Sequence, residues 1–236
     1  MKELINKIYK GSNKEFLQLL DKRIKENKKT FIITANPETL TYSETDKEIS
    51  KMLNDNNNLI IPDGIAIVKA ANMLGVNIKE RITGFDVCEH LLEYASNNKK
   101  RVFLFGSKQN VIDGMKKVIS EKYSNINLVG SENGYVKDKD KVFENIVKLR
   151  PDIVMVALGI PNQEKLIYKH LSKFKSGIFI GVGGSFDVIS GSKKRAPKLF
   201  IKLNLEWLYR IVTEPKRLKR FYNNNIKFML KVKKEK

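Results

Sequence analysis

An aspartate directly after a predicted buried strand is the first candidate for chemistry in this sequence. The apolar, β-forming run Leu59–Ile61 leads straight into Pro62-Asp63-Gly64. Ligands of α/β proteins bind where the carboxyl ends of parallel strands meet, so a carboxylate placed there is positioned to take a proton from a substrate. Pro-Asp-Gly is also ordinary turn chemistry, because Pro presets φ and Gly accepts a positive φ. Asp63 is therefore a candidate general base, with a plain turn as the alternative.

Other polar residues follow predicted strands in the same way. Thr34 and Asn36 come at the end of the first predicted strand, and Gln163 comes shortly after the apolar strand Asp152–Leu158. Three glycines close the last predicted strand: Gly181, Gly183 and Gly184. Glycines at a helix N-terminus let backbone N–H groups approach a ligand, which suits a diphosphate. If the sheet is parallel, all these residues converge on one cleft.

A departing diphosphate needs positive charge from a metal ion or from basic side chains. The basic candidates are Arg81, Lys193, Lys194, Arg195, Arg210, Arg217 and Arg220. Asp138-Lys139-Asp140 matches an Asp-x-Asp metal-binding pattern, but it lies at a predicted helix start, where the helix dipole favours acidic residues. We therefore expect no metal and no other cofactor.

The elements that would position these residues alternate between strands and helices. Strands are predicted at 30–34, 59–61, 101–105, 126–129, 152–158 and 177–182, separated by helical segments of about a dozen residues. That alternation is typical of βαβ units and a parallel sheet. The predicted fold is α/β, with a Rossmann-like, mostly parallel sheet flanked by helices, and residues 1–192 form the predicted catalytic domain.

The last part of the chain, residues 193–236, differs in character. It holds 15 Lys and Arg against three acidic residues, and contributes more than half of the net charge of +19. Apolar and aromatic residues recur between the basic ones, and Pro215 is expected to interrupt the helix. A basic helix with an apolar opposite face is typical of a membrane-surface segment. The alternative is a packed helix pair with a solvated basic face. We call this segment the basic appendage.

Composition limits the remaining possibilities. Cys88 is the single cysteine, which excludes an internal disulfide and a cysteine zinc site and favours a reducing cytoplasm. Residues 1–29 show no apolar leader, and the longest apolar run is far shorter than the ~20 residues of a membrane span. The sequence lacks a Gly-x-Ser-x-Gly elbow, a His-Glu-x-x-His pair and a dinucleotide-binding glycine fingerprint. Hydrolase and dehydrogenase interpretations therefore lack support.

Several of these segments together resemble motifs of the WecG/TagA/CpsF family of bacterial glycosyltransferases, over about residues 10–225. The matching segments are Thr34-Ala35-Asn36-Pro37, Pro62-Asp63-Gly64, Arg81 to Asp86, Ala157 to Glu164, Gly181 to Asp187, Arg195-Ala196-Pro197, Glu206-Trp207-Leu208-Tyr209-Arg210 and Glu214-Pro215-Lys216-Arg217. The segments from Glu206 to Arg217 are the most specific.

The resemblance implies an inverting, metal-independent transferase that moves a sugar from a UDP donor to an undecaprenyl-diphosphate-linked acceptor. The branch that the sequence most resembles adds N-acetylmannosamine (ManNAc) to lipid-linked N-acetylglucosamine (GlcNAc), an early step of wall teichoic acid synthesis. N-acetylmannosaminuronic acid and glucose remain alternative donors in exopolysaccharide synthesis. A nucleic-acid-binding α/β protein is a more distant alternative, based on charge alone.

By the same resemblance, Asp63 is the base, Thr34, Asn36 and Gln163 line the sugar and acceptor site, and Arg81 lies near the cleft. The basic appendage would dock on the anionic inner face of the cytoplasmic membrane and bring its arginines over the active site. Away from the membrane, its apolar stripe could pack on a second copy of the chain.

Overall fold

The computed structural model describes residues 1–235 as a six-stranded sheet with helices on both faces. All strands are parallel, in the order β2-β1-β6-β5-β3-β4. Their bounds are β1 Thr30–Ala35, β2 Leu59–Pro62, β3 Arg101–Gly106, β4 Asn127–Glu132, β5 Ile153–Ala157 and β6 Ile178–Gly181. The predicted α/β class with a parallel sheet is confirmed.

The strands other than β4 are largely apolar because both faces of the sheet are covered there, whereas β4 is only partly buried. In β1, Phe31 and Ile33 belong to one core cluster and Ile32 to the other, since successive side chains point to opposite faces. Every residue of β5 is buried. Continuous apolar runs of this kind are what doubly covered parallel strands require.

The segments between the strands of the catalytic part are helical, as the sequence predicted. The helices of this part are α1 Lys2–Lys7, α2 Asn13–Lys25, α3 Pro37–Thr45, α4 Lys47–Asn54, α5 Ile65–Met73, α6 Gly84–Asn97, α7 Gln109–Lys122, α8 Lys139–Leu149, α9 Asn162–His170 and α10 Ser185–Ile189, with a 3₁₀ turn at Leu171–Lys173. Asn36 caps α3, Pro37 occupies its first turn, and Thr83 caps α6. These caps explain why two helices begin directly beside the predicted site residues.

The basic appendage contains four short helices and one π-helical turn. They are α11 Lys198–Lys202, α12 Glu206–Thr213, α13 Arg217–Phe221, the π turn Tyr222–Ile226, and α14 Lys227–Lys234. Pro215 lies in the break between α12 and α13, where the sequence predicted an interruption.

The end of the appendage is anchored in the core of the protein. Phe228 and Val232 on α14 are fully buried in the same cluster as Ile67 and Ala71 of α5. The helices α11 to α13 contain no buried residue, so they cover the core without joining it. The boundary at residues 192 and 193 stays a prediction. Over residues 1–235, the helices fall short of the length and hydropathy that a membrane crossing needs.

Candidate active site

A cleft of about 630 Å³ opens at the carboxyl edge of the sheet, between the strand ends and the basic appendage. The ends of β1, β2, β5 and β6 form its floor, and α12, α13 and the π turn form its roof. Most of the predicted site residues line it: Thr34, Asn36, Asp63, Arg81, Gln163, Gly181, Gly183, Gly184, Arg210, Arg217 and Arg220. The predicted convergence of strand ends on one cleft is therefore present.

Asp63 follows β2 and is held against the neighbouring strand. Its backbone N–H donates to the carbonyl oxygen of Ala35 at 2.8 Å, and Gly64 takes φ +126° to turn the chain into α5. Burial raises the pKa of the Asp63 carboxyl to about 6, although Arg81 and Arg210 and a backbone hydrogen bond from Gly84 oppose that rise. The carboxyl is thus mostly ionised at neutral pH and is a stronger base than an exposed aspartate.

Glu206 joins two arginines above Asp63. Its carboxylate accepts from Arg81 at 3.2 Å and from Arg210 at 2.5 Å, and the Arg81 and Glu206 side chains are 12% and 14% exposed. Burial would raise the pKa of Glu206, but the positive charges of Arg210 and Arg81 outweigh it and hold that pKa below its usual range. The pairing fixes α12 to the loop before α6, so it positions both arginines at the cleft.

The other two cleft arginines also have acidic partners. Arg220 donates to Glu38 of α3 at 2.7 and 3.1 Å, and Arg217 donates to Glu214 at 2.8 Å. A stacked aromatic pair, Trp207 and Phe221, lies beside them with ring centroids 4.6 Å apart.

Thr34 and Asn36 lie on the floor of the cleft, at the end of β1. The side-chain oxygen of Asn36 accepts from the N–H of Thr39 at 3.0 Å and so orients its amide as a helix cap. Thr34 is 4% exposed, and a Cβ at Gly84 would come within 3.0 Å of its methyl group. Glycine at position 84 therefore allows α6 to begin next to β1 and Asp63.

Gln163 is a buried link between two strand-end loops. Its side-chain oxygen accepts from the N–H groups of Gly159 and Gly183, both at 3.1 Å, and its amide nitrogen donates to Glu164 at 2.7 Å. A Cβ at Gly181 would lie 2.5 Å from that nitrogen, so only glycine fits there. The N–H of Gly183, predicted to approach a diphosphate, already has a partner inside the protein.

Arg195 is not among the residues that line the cleft over residues 1–235. Its guanidinium donates to Asp86 of α6 at 2.8 Å and lies 3.7 Å above the ring of Phe85. The position does not support the predicted contact with substrate, because the α6 carboxylate and the aromatic ring engage the charge instead. Lys193, another predicted cation, pairs with Glu214 at 3.0 Å.

A family model described as "Glycosyl transferase WecG/TagA/CpsF family" matches residues 4–236. The chain belongs to this family. It is 42% identical to the N-acetylglucosaminyldiphosphoundecaprenol N-acetyl-beta-D-mannosaminyltransferase of Bacillus subtilis (strain 168), over 90% of this chain and 83% of that protein. Proteins of the same name from Bacillus spizizenii and Staphylococcus aureus (strain NCTC 8325) are 40% and 37% identical, over 83% and 87% of this chain and 76% and 80% of theirs. The family assignment from sequence motifs is confirmed, and the chain is a glycosyltransferase.

In this WecG/TagA/CpsF protein the Asp-x-Asp segment lies at a second cleft of about 820 Å³, beyond β3 and β5. Asp138 caps α8 by accepting from the N–H of Lys141 at 2.9 Å. Asp140 accepts from Lys169 and His170, and these hydrogen bonds lower its pKa. Within residues 1–235, no three His, Cys, Asp or Glu side chains are grouped to hold a metal ion. Both carboxylates are thus accounted for by helix capping and ion pairing.

Sequence analysis missed three acidic residues of this WecG/TagA/CpsF site. Glu206 and Glu38 hold cleft arginines, and Glu164 contacts Gln163. Glu206 and Glu164 lie within the motifs that resemble the family, so the sequence did offer a signal that they belong to the site. The partner of Glu38 is 182 positions away in sequence, so no local pattern could have identified it.

Proposed function

We propose that this glycosyltransferase moves ManNAc from UDP-ManNAc to GlcNAc linked to undecaprenyl diphosphate, a step that begins the linkage unit of wall teichoic acid. The observation that carries the proposal is the printed name of relatives that are 37–42% identical over most of the chain. The cleft supports sugar transfer independently, because Asp63, with its raised pKa, faces a group of arginines.

The proposed reaction is a single in-line displacement that inverts the configuration at the anomeric carbon of the donor sugar. Asp63 takes the proton of the acceptor hydroxyl while the hydroxyl oxygen bonds to the anomeric carbon. The bond from that carbon to the donor phosphate breaks, and UDP leaves with the electron pair. One carboxylate suffices, since no covalent sugar intermediate forms. Thr34 and the Asn36 amide, on the strand next to Asp63, would hold the sugars beside the base.

Arginines take the place of a metal ion in this proposal. Arg81 and Arg210 lie above Asp63, and Arg217 and Arg220 extend the positive surface along the roof. A guanidinium offers paired donors that match phosphate oxygens, so the arginines would exchange their carboxylate partners for a diphosphate. No cofactor is required.

The basic appendage is the proposed membrane-docking surface. Apolar side chains that are more than half exposed recur along it: Leu199, Leu203, Val212, Leu218, Tyr222 and Leu230. Lysines and arginines surround them, which suits an anionic bilayer that also holds the lipid-linked acceptor. We propose peripheral attachment to the inner face of the cytoplasmic membrane, with self-association through the same apolar surface off the membrane.

A point substitution tests membrane docking better than truncation, because truncation would also remove the buried Phe228 and Val232. Leu203→Glu should lower co-sedimentation with phosphatidylglycerol vesicles several-fold. Asn223→Glu adds the same charge at an exposed polar position of the appendage and should change it little. Equal binding by both variants would reject this surface.

Turnover with a panel of donors tests the proposed reaction. UDP-ManNAc, UDP-N-acetylmannosaminuronic acid and UDP-glucose are each offered with a short-chain lipid-diphosphate GlcNAc, and UDP release is measured. We expect UDP-ManNAc to react at least tenfold faster than the others. If another donor reacts faster, that donor's sugar is the one transferred. UDP release in the absence of the acceptor would contradict sugar transfer.

A further inference from the structure

Glu164 is a buried carboxyl that no positive group neutralises within residues 1–235. It is 1% exposed, one oxygen accepts from Gln163 at 2.7 Å, and the other is buried without a hydrogen-bond partner. Burying a carboxyl in this state costs free energy, and a neutral glutamine of the same shape would cost less. The fold alone therefore gives no reason for an acid at position 164.

The neighbouring Gln163 supplies a reason, because its amide must point one way. Its oxygen accepts from Gly159 and Gly183, while its NH₂ group faces Glu164. Turning the amide over would place the NH₂ group against two N–H donors and leave both without an acceptor. An amide has nearly the same shape in the two orientations, so hydrogen bonding alone decides between them.

We propose that Glu164 is a positioning residue for sugar transfer, whose acceptor-only carboxylate fixes the Gln163 amide and thereby the two strand-end loops of the cleft. The proposal rests on the proposed function. Gly159 follows β5 and Gly183 follows β6, and both line the cleft that contains Asp63. The Gln163 oxygen is their common acceptor, so its orientation sets the distance between the loops.

Burial, with the negative charge of Glu38 adding to it, raises the pKa of Glu164 to about 7, although the hydrogen bond from Gln163 opposes the rise. The acceptor-only carboxylate is therefore about half populated at pH 7 and predominates at higher pH. A glutamine at 164 could also present its NH₂ group to Gln163, and in that rotamer it would oppose the amide orientation that Gly159 and Gly183 select.

The first test compares Glu164→Gln with Glu144→Gln, an acid-to-amide change at an exposed position of α8. We expect Glu164→Gln to lower kcat at least tenfold and to change the donor KM less than threefold, because a small displacement of loops that orient reacting groups costs rate more than binding. Its unfolding temperature should not fall, since a buried charge is removed. Glu144→Gln should match the parent protein.

A second readout needs no substrate, so it separates this proposal from the identity of the transferred sugar. Amide hydrogen exchange at Gly159 and Gly183 should accelerate at least threefold in Glu164→Gln and stay unchanged in Glu144→Gln. In a Gln163→Ala background, adding Glu164→Gln should have no further effect on kcat, because the side chain that it orients is gone.

The proposal is overturned if Glu164→Gln keeps kcat within threefold, or if exchange at both glycines is unchanged. It is also overturned if the variant unfolds, or loses kcat only in proportion to a lower unfolding temperature, because Glu164 would then serve the fold. If the losses of kcat caused by Glu164→Gln and Gln163→Ala are additive in the double variant, Glu164 does not act through the Gln163 amide.

Discussion

Replacing Asp63 by asparagine should remove sugar transfer and at the same time make the folded protein more stable at neutral pH. Asparagine keeps the shape of the side chain and can still accept the backbone hydrogen bond that Gly84 makes to this position. It cannot take a proton from the acceptor hydroxyl. Transfer should fall at least a thousandfold, while the affinity for UDP changes little, since the arginines of the roof stay in place.

The stability gain follows from the pKa of Asp63, which burial raises to about 6. A carboxyl with a raised pKa in the folded state contributes stability below its pKa in the unfolded chain, and loses that contribution as the pH rises through about 6. Each pKa unit corresponds to about 1.4 kcal/mol, so the ionised carboxylate costs at most ~3 kcal/mol at pH 7.5. Because the carboxyl is partly open to the cleft, we expect asparagine to recover about 2 kcal/mol at pH 7.5 and less than ~1 kcal/mol at pH 4.5.

Urea unfolding at the two pH values measures this difference, with Asp113→Asn as the control. Asp113 is an exposed aspartate on α7, with a side chain that is 55% exposed. Its replacement should change stability by less than ~0.5 kcal/mol at either pH. In the parent protein, kcat should fall about tenfold for each pH unit below 6, because only the ionised base works.

Any of three results would contradict the role of Asp63 as a buried general base. One is an Asp63→Asn protein that transfers sugar at a rate near that of the parent. Another is a variant that is less stable at pH 7.5 than the parent. The third is a pH profile of the parent protein in which kcat falls to half of its maximum near pH 4, which would mean that burial does not raise the pKa of Asp63.

Three further outcomes are expected. Arg220→Ala should lower kcat/KM for the lipid acceptor about tenfold. Lys219→Ala, at the neighbouring exposed position that does not line the cleft, should change it less than twofold; equal losses would show a general charge effect. Asp140→Asn should lower the unfolding temperature by a few degrees, because the contact with His170 is weakened, and should leave activity unchanged with or without a chelator. Activity that a chelator reduces would indicate that Asp140 binds a metal ion. Trp207→Ala should raise the KM for the acceptor several-fold by removing the stack on Phe221, and an unchanged KM would assign the pair to packing only.

The elements of the sheet were predictable because buried parallel strands carry continuous apolar runs that end in turn residues. β5, predicted at 152–158 and observed at Ile153–Ala157, shows how well such signals work. β1, β2 and β3 each extend one residue beyond their predicted ends, whereas β4, which is less buried, extends from its predicted end at Val129 to Glu132. Its Gly130, Ser131 and Glu132 are poor strand formers, and pairing with β3 overrides their low propensity.

The cleft was predictable in outline, because strand ends of a parallel sheet share one edge. Which arginines reach it was not, since that depends on contacts between distant segments. Arg195 and Arg210 both lie in segments that resemble the family, yet Arg195 pairs with Asp86 and Glu89 of α6 outside the cleft. Gln163 was assigned to the site, but its hydrogen bonds to two loops became apparent only from the fold.

Because Phe228 and Val232 are buried, the basic appendage is attached to the catalytic part at both of its ends. A segment fixed only where it leaves the sheet would be a free tail, but this one is fixed a second time at α14 and so forms a closed loop over the cleft. A segment that is already closed in the free protein has less conformational freedom to lose. Ordering the roof over a bound substrate therefore costs less conformational entropy than ordering a free tail would. The same closure limits how far the roof can move. We therefore expect a lipid-linked acceptor to enter from the side of the basic appendage, between its exposed apolar helices and the strand ends.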